Sequence, residues 1–232
     1  MRITDLPDIC RQSGIDLNDE MIRQLERYME LLMEWNEKIN LTAIKEPEEI
    51  VEKHFYDCLL PLSSGQIHGR CADIGSGAGF PGLVWKIADP ELSMVLVEPT
   101  GKRCTFLKTV ISELGLKEIE VINQRSEDYV REARESFDVV TARAVANLRV
   151  LCELCVPLVK KGGLFVPMKG SSAIDEVSEA AHAMKVLGCK VENIQETSLP
   201  GGDIRNNIFC RKTASTPPEY PRHYGRIKKQ PL

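Results

Sequence analysis

Between residues 18 and 40, apolar side chains recur every three or four positions: Ile22, Leu25, Tyr28, Met29, Leu32 and Trp35, with Glu26, Glu30, Glu34 and Glu37 largely between them. That spacing lays one apolar stripe along a helix, and Asn18 or Asp19 is suited to cap it. A second helix is expected to begin near Glu46-Pro47-Glu48-Glu49, where proline fits a first turn and carboxylates fit the positive end of the helix dipole. These signals predict a helical annex over residues 1–62. From Arg70 the pattern changes to short apolar runs, at Cys71–Gly75, Met94–Glu98, Ile119–Asn123, Phe137–Ala142, Gly163–Met168, Lys190–Glu196 and Asn207–Arg211. Amphipathic stretches near Gly82–Ala88, Lys102–Leu114, Asp128–Glu135, Leu148–Lys160 and Ile174–Leu187 alternate with them. Strands alternating with helices of this length imply βαβ units, hence an α/β domain over residues 63–212 with a parallel, doubly wound sheet covered on both faces. Ligands of such sheets bind at the carboxyl ends of the strands. A Pro-rich linker, Thr213–Pro221, opens a C-terminal segment over residues 213–232.

The most informative stretch, Asp73-Ile74-Gly75-Ser76-Gly77-Ala78-Gly79-Phe80-Pro81-Gly82, lies between the first strand and the first helix of that domain. Glycines there allow backbone conformations closed to other residues and let a ligand approach the main chain. The dinucleotide fingerprint G-x-G-x-x-G requires glycine at the sixth position from Gly75, which is Phe80, and this departure weighs against NAD. The spacing D-x-G-x-G-x-G instead resembles the first motif of Rossmann-type S-adenosylmethionine-dependent methyltransferases. Glu98, at the end of the second strand, is placed to accept hydrogen bonds from both ribose hydroxyls. The end of the third strand, Gln124-Arg125-Ser126-Glu127, faces the adenine in this fold, and Arg143, ending the fourth, falls near the methyl donor. Arg143 is expected either to contact ligand or RNA or to form a structural ion pair, with Glu127 or Asp73 as partner.

Hydrophobic residues make up 43% and charged residues 28% of the 232, which excludes wholesale disorder. No apolar run approaches the roughly 20 residues of a membrane span, and the opening MRITDLPDIC lacks a signal-peptide core, so a cytoplasmic location is expected. Eight cysteines without framework spacing read as reduced thiols. Cys152-x-x-Cys155 has the spacing of half a zinc site but no second pair, and both cysteines fall in an apolar helical pattern, so no metal is expected. The net charge of −4 is unevenly spread: Arg205–Leu232 contains seven basic residues and one acidic one, a net +6, which leaves −10 for residues 1–204. A compact basic end on an acidic body suits either one localised anionic contact or a solvated tail.

The whole chain resembles the bacterial ribosomal RNA small subunit methyltransferase G family, also called glucose-inhibited division protein B. The resemblance rests on Asn40-Leu41-Thr42, His54-Phe55-Tyr56-Asp57-Cys58-Leu59, the Asp73–Gly82 loop, Gly101-Lys102-Arg103 with Phe106-Leu107, Thr141–Ala146, Lys169-Gly170, and a tail from Pro221-Arg222 through Gly225, Lys228-Lys229 and Pro231-Leu232. Cys58 stands where the family usually has serine, and Pro167 where alanine is frequent. The resemblance implies a Rossmann-like class I methyltransferase, a monomer with a seven-stranded, mostly parallel sheet. It implies S-adenosylmethionine as cofactor and N7 of guanine 527 in 16S ribosomal RNA of the 30S subunit as target. Its cofactor contacts fall on Gly75, Phe80, Ser126, Glu127 and Arg143, with Glu98 as the ribose acid; Asp73, Gly77 and Gly79 complete the candidate cofactor set. Because guanine N7 carries its own lone pair, no general base is expected. Arg143 and Lys169 are candidates for holding O6 or a flanking phosphate. Arg205, Arg222, Arg226, Lys228 and Lys229 are candidate phosphate contacts, with Tyr220 and Tyr224 available for stacking. His54 is expected to be a buried, hydrogen-bonded residue of the annex. The rival readings are an NAD-dependent oxidoreductase, a non-catalytic RNA-binding module with a degenerate pocket, and a methyltransferase acting on a small molecule.

Overall fold

The computed structural model describes Met1–Leu232. Seven strands form one sheet: β1 Arg70–Ile74, β2 Ser93–Val97, β3 Ile119–Ile122, β4 Phe137–Arg143, β5 Val159–Lys169, β6 Cys189–Ser198 and β7 Ile204–Lys212. Their order is β3-β2-β1-β4-β5-β7-β6, parallel except for β7, which runs antiparallel to both neighbours. The strand order reverses at β1/β4, so the carboxyl ends of β1 and β4 open onto the crevice where such sheets bind ligands. The helices are α1 Leu6–Gln12, α2 Asp19–Ile39, α3 Pro47–Ile50, α4 Asp57–Leu59, α5 Gly82–Ala88, α6 Gly101–Glu113, α7 Ser126–Ala133, α8 Leu148–Cys155, α9 Ala173–Leu187 and α10 Tyr224–Lys229.

Two hydrophobic clusters cover the two faces of the sheet. On one face, α2, α5 and α6 bury Leu25, Tyr28, Leu32, Trp85 and Phe106 against Met94, Leu96 and Val166. On the other, α7, α8 and α9 bury Val130, Leu151, Cys152, Cys155 and Met184 against Val95, Val140 and Phe165. Cys152 and Cys155 are thus core residues, all eight cysteines are buried and free, and no group of three His, Cys, Asp or Glu side chains is arranged to hold a metal. No helix is long and apolar enough to cross a membrane.

Asn18 caps α2, its side chain accepting from the Met21 N–H at 2.9 Å. α3 continues without a break through a π-helical stretch, Val51–Tyr56, into α4 and a 3-10 turn, Leu60–Ser64. His54 and Asp57, three positions apart, share one face of this segment, and both accept from Arg143. The expected helix Leu148–Lys160 ends instead at Cys155, because Pro157 has no N–H to continue the ladder, and Val159 already pairs with Phe137 of β4. β5 begins four residues earlier than its apolar run suggests, its start hidden by Lys160-Lys161-Gly162-Gly163. α1 and α10 carry no clear periodic signal, being only seven and six residues long.

The annex is fastened to the sheet domain by side-chain hydrogen bonds from several elements. Trp85 Nε1 donates to Cys58 O at 2.7 Å, Gln24 to Leu114 O at 3.2 Å, and the Tyr28 hydroxyl to Ala78 O inside the glycine loop. The C-terminal segment likewise lies along the body. Thr216 Oγ1 donates to Leu187 O, Ile227 is fully buried, and Arg149 donates to the carbonyls of Pro231 and Leu232.

Candidate active site

The chain leaves β1 into a loop held against β2: the N–H groups of Gly75 and Ser76 both donate to Val97 O, at 2.8 and 3.2 Å. Gly75, Gly77 and Gly79 all have positive φ, at 69°, 59° and 97°. The three are not equivalent. A Cβ at Gly75 would lie 2.7 Å from Val145 Cγ2, and one at Gly79 would lie 2.3 Å from Leu83 Cδ1 and 2.8 Å from the Tyr28 hydroxyl. At Gly77 it would meet nothing nearer than Gly75 O at 3.8 Å, so the backbone there is bare on its outer side.

Asp73 stands behind the loop, fully buried, with Oδ2 accepting from the Gly82 N–H at 3.0 Å and Oδ1 without a partner. Burial pushes its carboxyl up to about 7. Glu98 follows β2 and is also buried; Oε2 accepts from the Gly77 N–H at 2.9 Å and Oε1 from the Thr100 N–H at 2.8 Å. Glu98 thus touches the bare glycine of the loop. Ser126 begins α7 with its hydroxyl donating to Leu154 O, and half-buried Glu127 follows it in the first turn.

A second group adjoins the loop at Phe80. The His54 ring stacks on Phe80, centroids 4.3 Å apart, and the Arg143 guanidinium lies 5.0 Å from the centre of the same ring. Arg143 donates to Asp57 Oδ2 at 3.0 Å, to Lys53 O at 3.0 Å and to His54 Nδ1 at 2.9 Å. Its ion-pair partner is therefore Asp57, and neither Glu127 nor Asp73. Since Nδ1 accepts from arginine, the imidazole is neutral with its proton on Nε2, which donates to Thr42 Oγ1 at 2.9 Å. Burial, reinforced by Arg143, lowers the His54 pKa to about 3.

Strand register brings the remaining cations alongside. Arg143 pairs with Met168, Lys169 with Asn206, and Arg205 precedes Asn206 in the antiparallel strand, so the ends of β4 and β5 and the start of β7 share one edge. Lys53, His54, Asp57, Arg143, Lys169 and Arg205 line a cleft of about 370 Å³ there. Arg205 Nε donates to Asp57 Oδ2 at 3.1 Å, and Lys169 pairs with Glu176 at 2.7 Å.

The C-terminal candidates divide. Arg222 turns inward, pairing with fully buried Glu153 at 2.6 Å, and fastens the segment to α8. Arg226, Lys228 and Lys229 are exposed on α10. Tyr220 lies half-buried below Arg222, and Tyr224 stacks against Arg125 at 5.3 Å. Periodicity and motif spacing give Tyr28, Thr42 and Asp57 no functional role; Thr42 and Asp57 stand in the family motifs, but only the fold reveals what they touch.

Buried His54 and Asp73 oppose each other in pH dependence. Unfolded His54 binds a proton near 6.5 and native His54 only near 3, so the stability it contributes above 6.5 is lost as pH falls. Asp73 is protonated below about 7 in the native state and below 3.8 when unfolded, so its contribution declines as pH rises from about 4 to 7. Asp73→Asn is expected to unmask the histidine, giving a stability that climbs more steeply with pH between about 4.5 and 6.5. Urea denaturation across that range checks it; an unchanged profile would mean that native Asp73 is ionised throughout.

Residues 21–206 match the family described as rRNA small subunit methyltransferase G. A protein of that name from Desulfitobacterium hafniense is 49% identical over 222 residues, covering 94% of this chain and 92% of its own. One from Clostridium botulinum is 43% identical over 232 residues, covering 98% and 97%. Among solved structures, an S-adenosylmethionine-dependent methyltransferase from Aquifex aeolicus superposes with a TM-score of 0.56 at 14% identity, covering 74% of this chain and 96% of its own. A 16S rRNA (adenine(1408)-N(1))-methyltransferase from Catenulisporales acidiphilia gives 0.52 at 14% identity, covering 66% and 89%. The structural matches establish the class I methyltransferase fold. With relatives matched along nearly their full length, the chain belongs to the rRNA small subunit methyltransferase G family.

Proposed function

We propose that this protein transfers a methyl group from S-adenosylmethionine to N7 of guanine 527 in 16S ribosomal RNA. The observation that carries the reading is the adjacency, at Phe80, of the glycine loop with its Glu98 carboxyl to a cleft walled by Lys53, Arg143, Lys169 and Arg205. The cofactor fits the residues present: a bare backbone at Gly77 gives close approach, Glu98 is a diol acceptor, and no dipole-backed pyrophosphate seat is needed for a sulfonium. When bound, S-adenosylmethionine supplies the electrophilic methyl group.

The chain's own work is alignment. Guanine N7 attacks with its own lone pair, so no residue needs to remove a proton, and a donor placed on N7 would block the reaction. Phe80 and the neutral His54 ring form an apolar wall between loop and cleft, while Arg143, gripped by Asp57, His54 and Lys53 O, is fixed in direction. A rigid cation at that edge offers O6 or a flanking phosphate a donor without crossing the line of attack. Lys169 and Arg205 extend the same positive edge. The domain limits at 62 and 212 separate annex, methyltransferase body and C-terminal segment by role, and the family supports a monomeric cytoplasmic enzyme.

Labelled S-adenosylmethionine incubated with 16S RNA or with 30S subunits lacking the modification, followed by mass mapping, tests the reaction. N7-methylguanosine at position 527 is expected; cofactor binding without transfer to either substrate would reopen the target.

The exposed cations of α10 are assigned to RNA phosphates. Deleting the whole segment would strand Glu153 and uncover the core around Ile227, so the test is the Arg226→Ala/Lys228→Ala/Lys229→Ala variant. Its RNA affinity is expected to fall and its log–log salt slope to shrink by roughly 0.7 for each phosphate no longer neutralised, with S-adenosylmethionine affinity retained. An unchanged slope would remove α10 from the interface.

A further inference from the structure

The sheet domain holds only the first half of the glycine loop. The N–H groups of Gly75 and Ser76 donate to Val97 O and that of Gly77 to Glu98, which fixes the chain as far as Gly77. Beyond it, the N–H groups of Gly79 and Phe80 donate back to Ser76 O, inside the loop itself. Ala78, at the turn between the two halves, has no hydrogen bond to the sheet domain. Its N–H donates to nothing, and its carbonyl accepts from one group alone, the hydroxyl of Tyr28 in α2. A residue flanked by glycine on both sides sits where the backbone turns most freely, so its orientation must be imposed from outside the loop.

Tyr28 is held in place to impose it. Its fully buried ring lies 5.5 Å from those of Phe55 and Phe80 and 6.4 Å from that of Phe106, which fixes the direction of the hydroxyl. Gly79 leaves the room, since a Cβ there would lie 2.8 Å from the hydroxyl oxygen. Burial pushes the phenol well above its ordinary range, so it remains a donor. Resting on the cofactor reading above, we propose that Tyr28 is a positioning residue for S-adenosylmethionine: through this hydroxyl the annex keeps the Ala78 carbonyl turned toward α2 and the loop in the conformation that binds the cofactor. Without the hydroxyl, that carbonyl becomes a buried acceptor with no donor, and rotations of the peptide that relieve it compete with the binding conformation. Cofactor affinity then falls in proportion to the fraction of molecules that keep the competent loop.

The test separates this contact from the general fastening of the annex. Tyr28→Phe removes the hydroxyl and keeps the ring. Gln24→Leu is its control, cutting the bond from α2 to Leu114 O one turn earlier on the helix and away from the loop. Calorimetric titration with S-adenosylmethionine, methyl transfer to 30S subunits lacking the modification, and thermal melts are run on the wild type and both variants. Tyr28→Phe is expected to raise the Kd and KM for S-adenosylmethionine about tenfold and to leave kcat within about twofold, because excess cofactor restores the competent loop. Gln24→Leu is expected to bind the cofactor as the wild type does. Wild-type affinity in Tyr28→Phe overturns the proposal. So do equal losses in the two variants, a fall in kcat with KM unchanged, or a Tyr28→Phe chain that does not fold, each of which assigns the hydroxyl a different role. Wild-type protein that fails to bind S-adenosylmethionine would instead refute the cofactor reading itself, and wild-type protein that binds it without methylating leaves the calorimetric comparison to decide.

Discussion

Arg143→Ala is expected to lower methyl transfer by about a hundredfold or more and to destabilise the fold by about 3–5 kcal/mol. Both effects come from the same knot. Removing the guanidinium leaves Asp57 buried with Arg205 as its remaining cation, leaves His54 Nδ1 without its donor, and uncovers Phe80. Misplacing an aligning group by about an ångström costs roughly two orders of magnitude in rate, and here the whole group is gone. Arg143→Lys separates the two losses. An ammonium keeps the charge near Asp57 and recovers part of the stability, but it lacks the planar fork that reaches Asp57, His54 and Lys53 O together, so turnover stays low. Lys228→Ala, on exposed α10, is expected to cost at least an order of magnitude less in turnover at saturating RNA. Denaturation and single-turnover methyl transfer on the three variants check this, and equal rate losses for Arg143→Ala and Lys228→Ala would sink the assignment.

The glycine loop yields the second large effect, through a contrast between neighbours. Gly79→Ala asks an L residue to hold φ near 97° and places a methyl group against Leu83 and the Tyr28 hydroxyl, so it should destabilise by about 3 kcal/mol and loosen the loop with it. Gly77→Ala asks only for an ordinary left-handed φ of 59° in open space, a cost of about 1–2 kcal/mol. Its methyl group nonetheless covers the one stretch of backbone left bare beside Glu98. Gly77→Ala is therefore expected to fold nearly normally and to lose S-adenosylmethionine binding by a hundredfold or more, whereas Gly79→Ala loses stability and binding together. Calorimetric titration beside thermal melts distinguishes them; Gly77→Ala binding the cofactor like the wild type would move the seat off the loop.

Local signals account for what the sequence disclosed. The apolar runs of β1, β2, β4 and β7 were legible because a strand buried on both faces must be apolar throughout, whereas β3 and β6 at the sheet edges are largely half-buried or exposed, and α2 was readable because its apolar face repeats along the chain. The glycine spacing and Glu98 were legible because each follows a strand immediately. Arg143 could be flagged as a buried charge at a strand end, but its partner could not. Asp57 lies 86 residues away, and its proximity follows from how the annex packs against the end of β4, which no periodicity announces. The charge gradient misled in one respect: Arg205, Arg211, Lys212 and Arg222 are basic in composition yet paired with Asp57, Glu192, Glu135 and Glu153, because their acidic partners stand far away in the chain. A net charge counts residues without regard to pairing, so only three of those seven cations remain as an exposed cluster on α10.

β7 has a consequence for how this chain comes into being. It is the last strand in sequence yet lies inside the sheet, between β5 and β6. A chain emerging from its own ribosome at about 5–20 residues per second presents β5 with one edge unpaired and β6 with no partner at all until residue 212 is out. Unpaired edges recruit other chains. The nascent protein is therefore most exposed to aggregation late in translation, and a stall or premature stop between β6 and β7 would release a product that holds its glycine loop and its first five strands but cannot close its sheet.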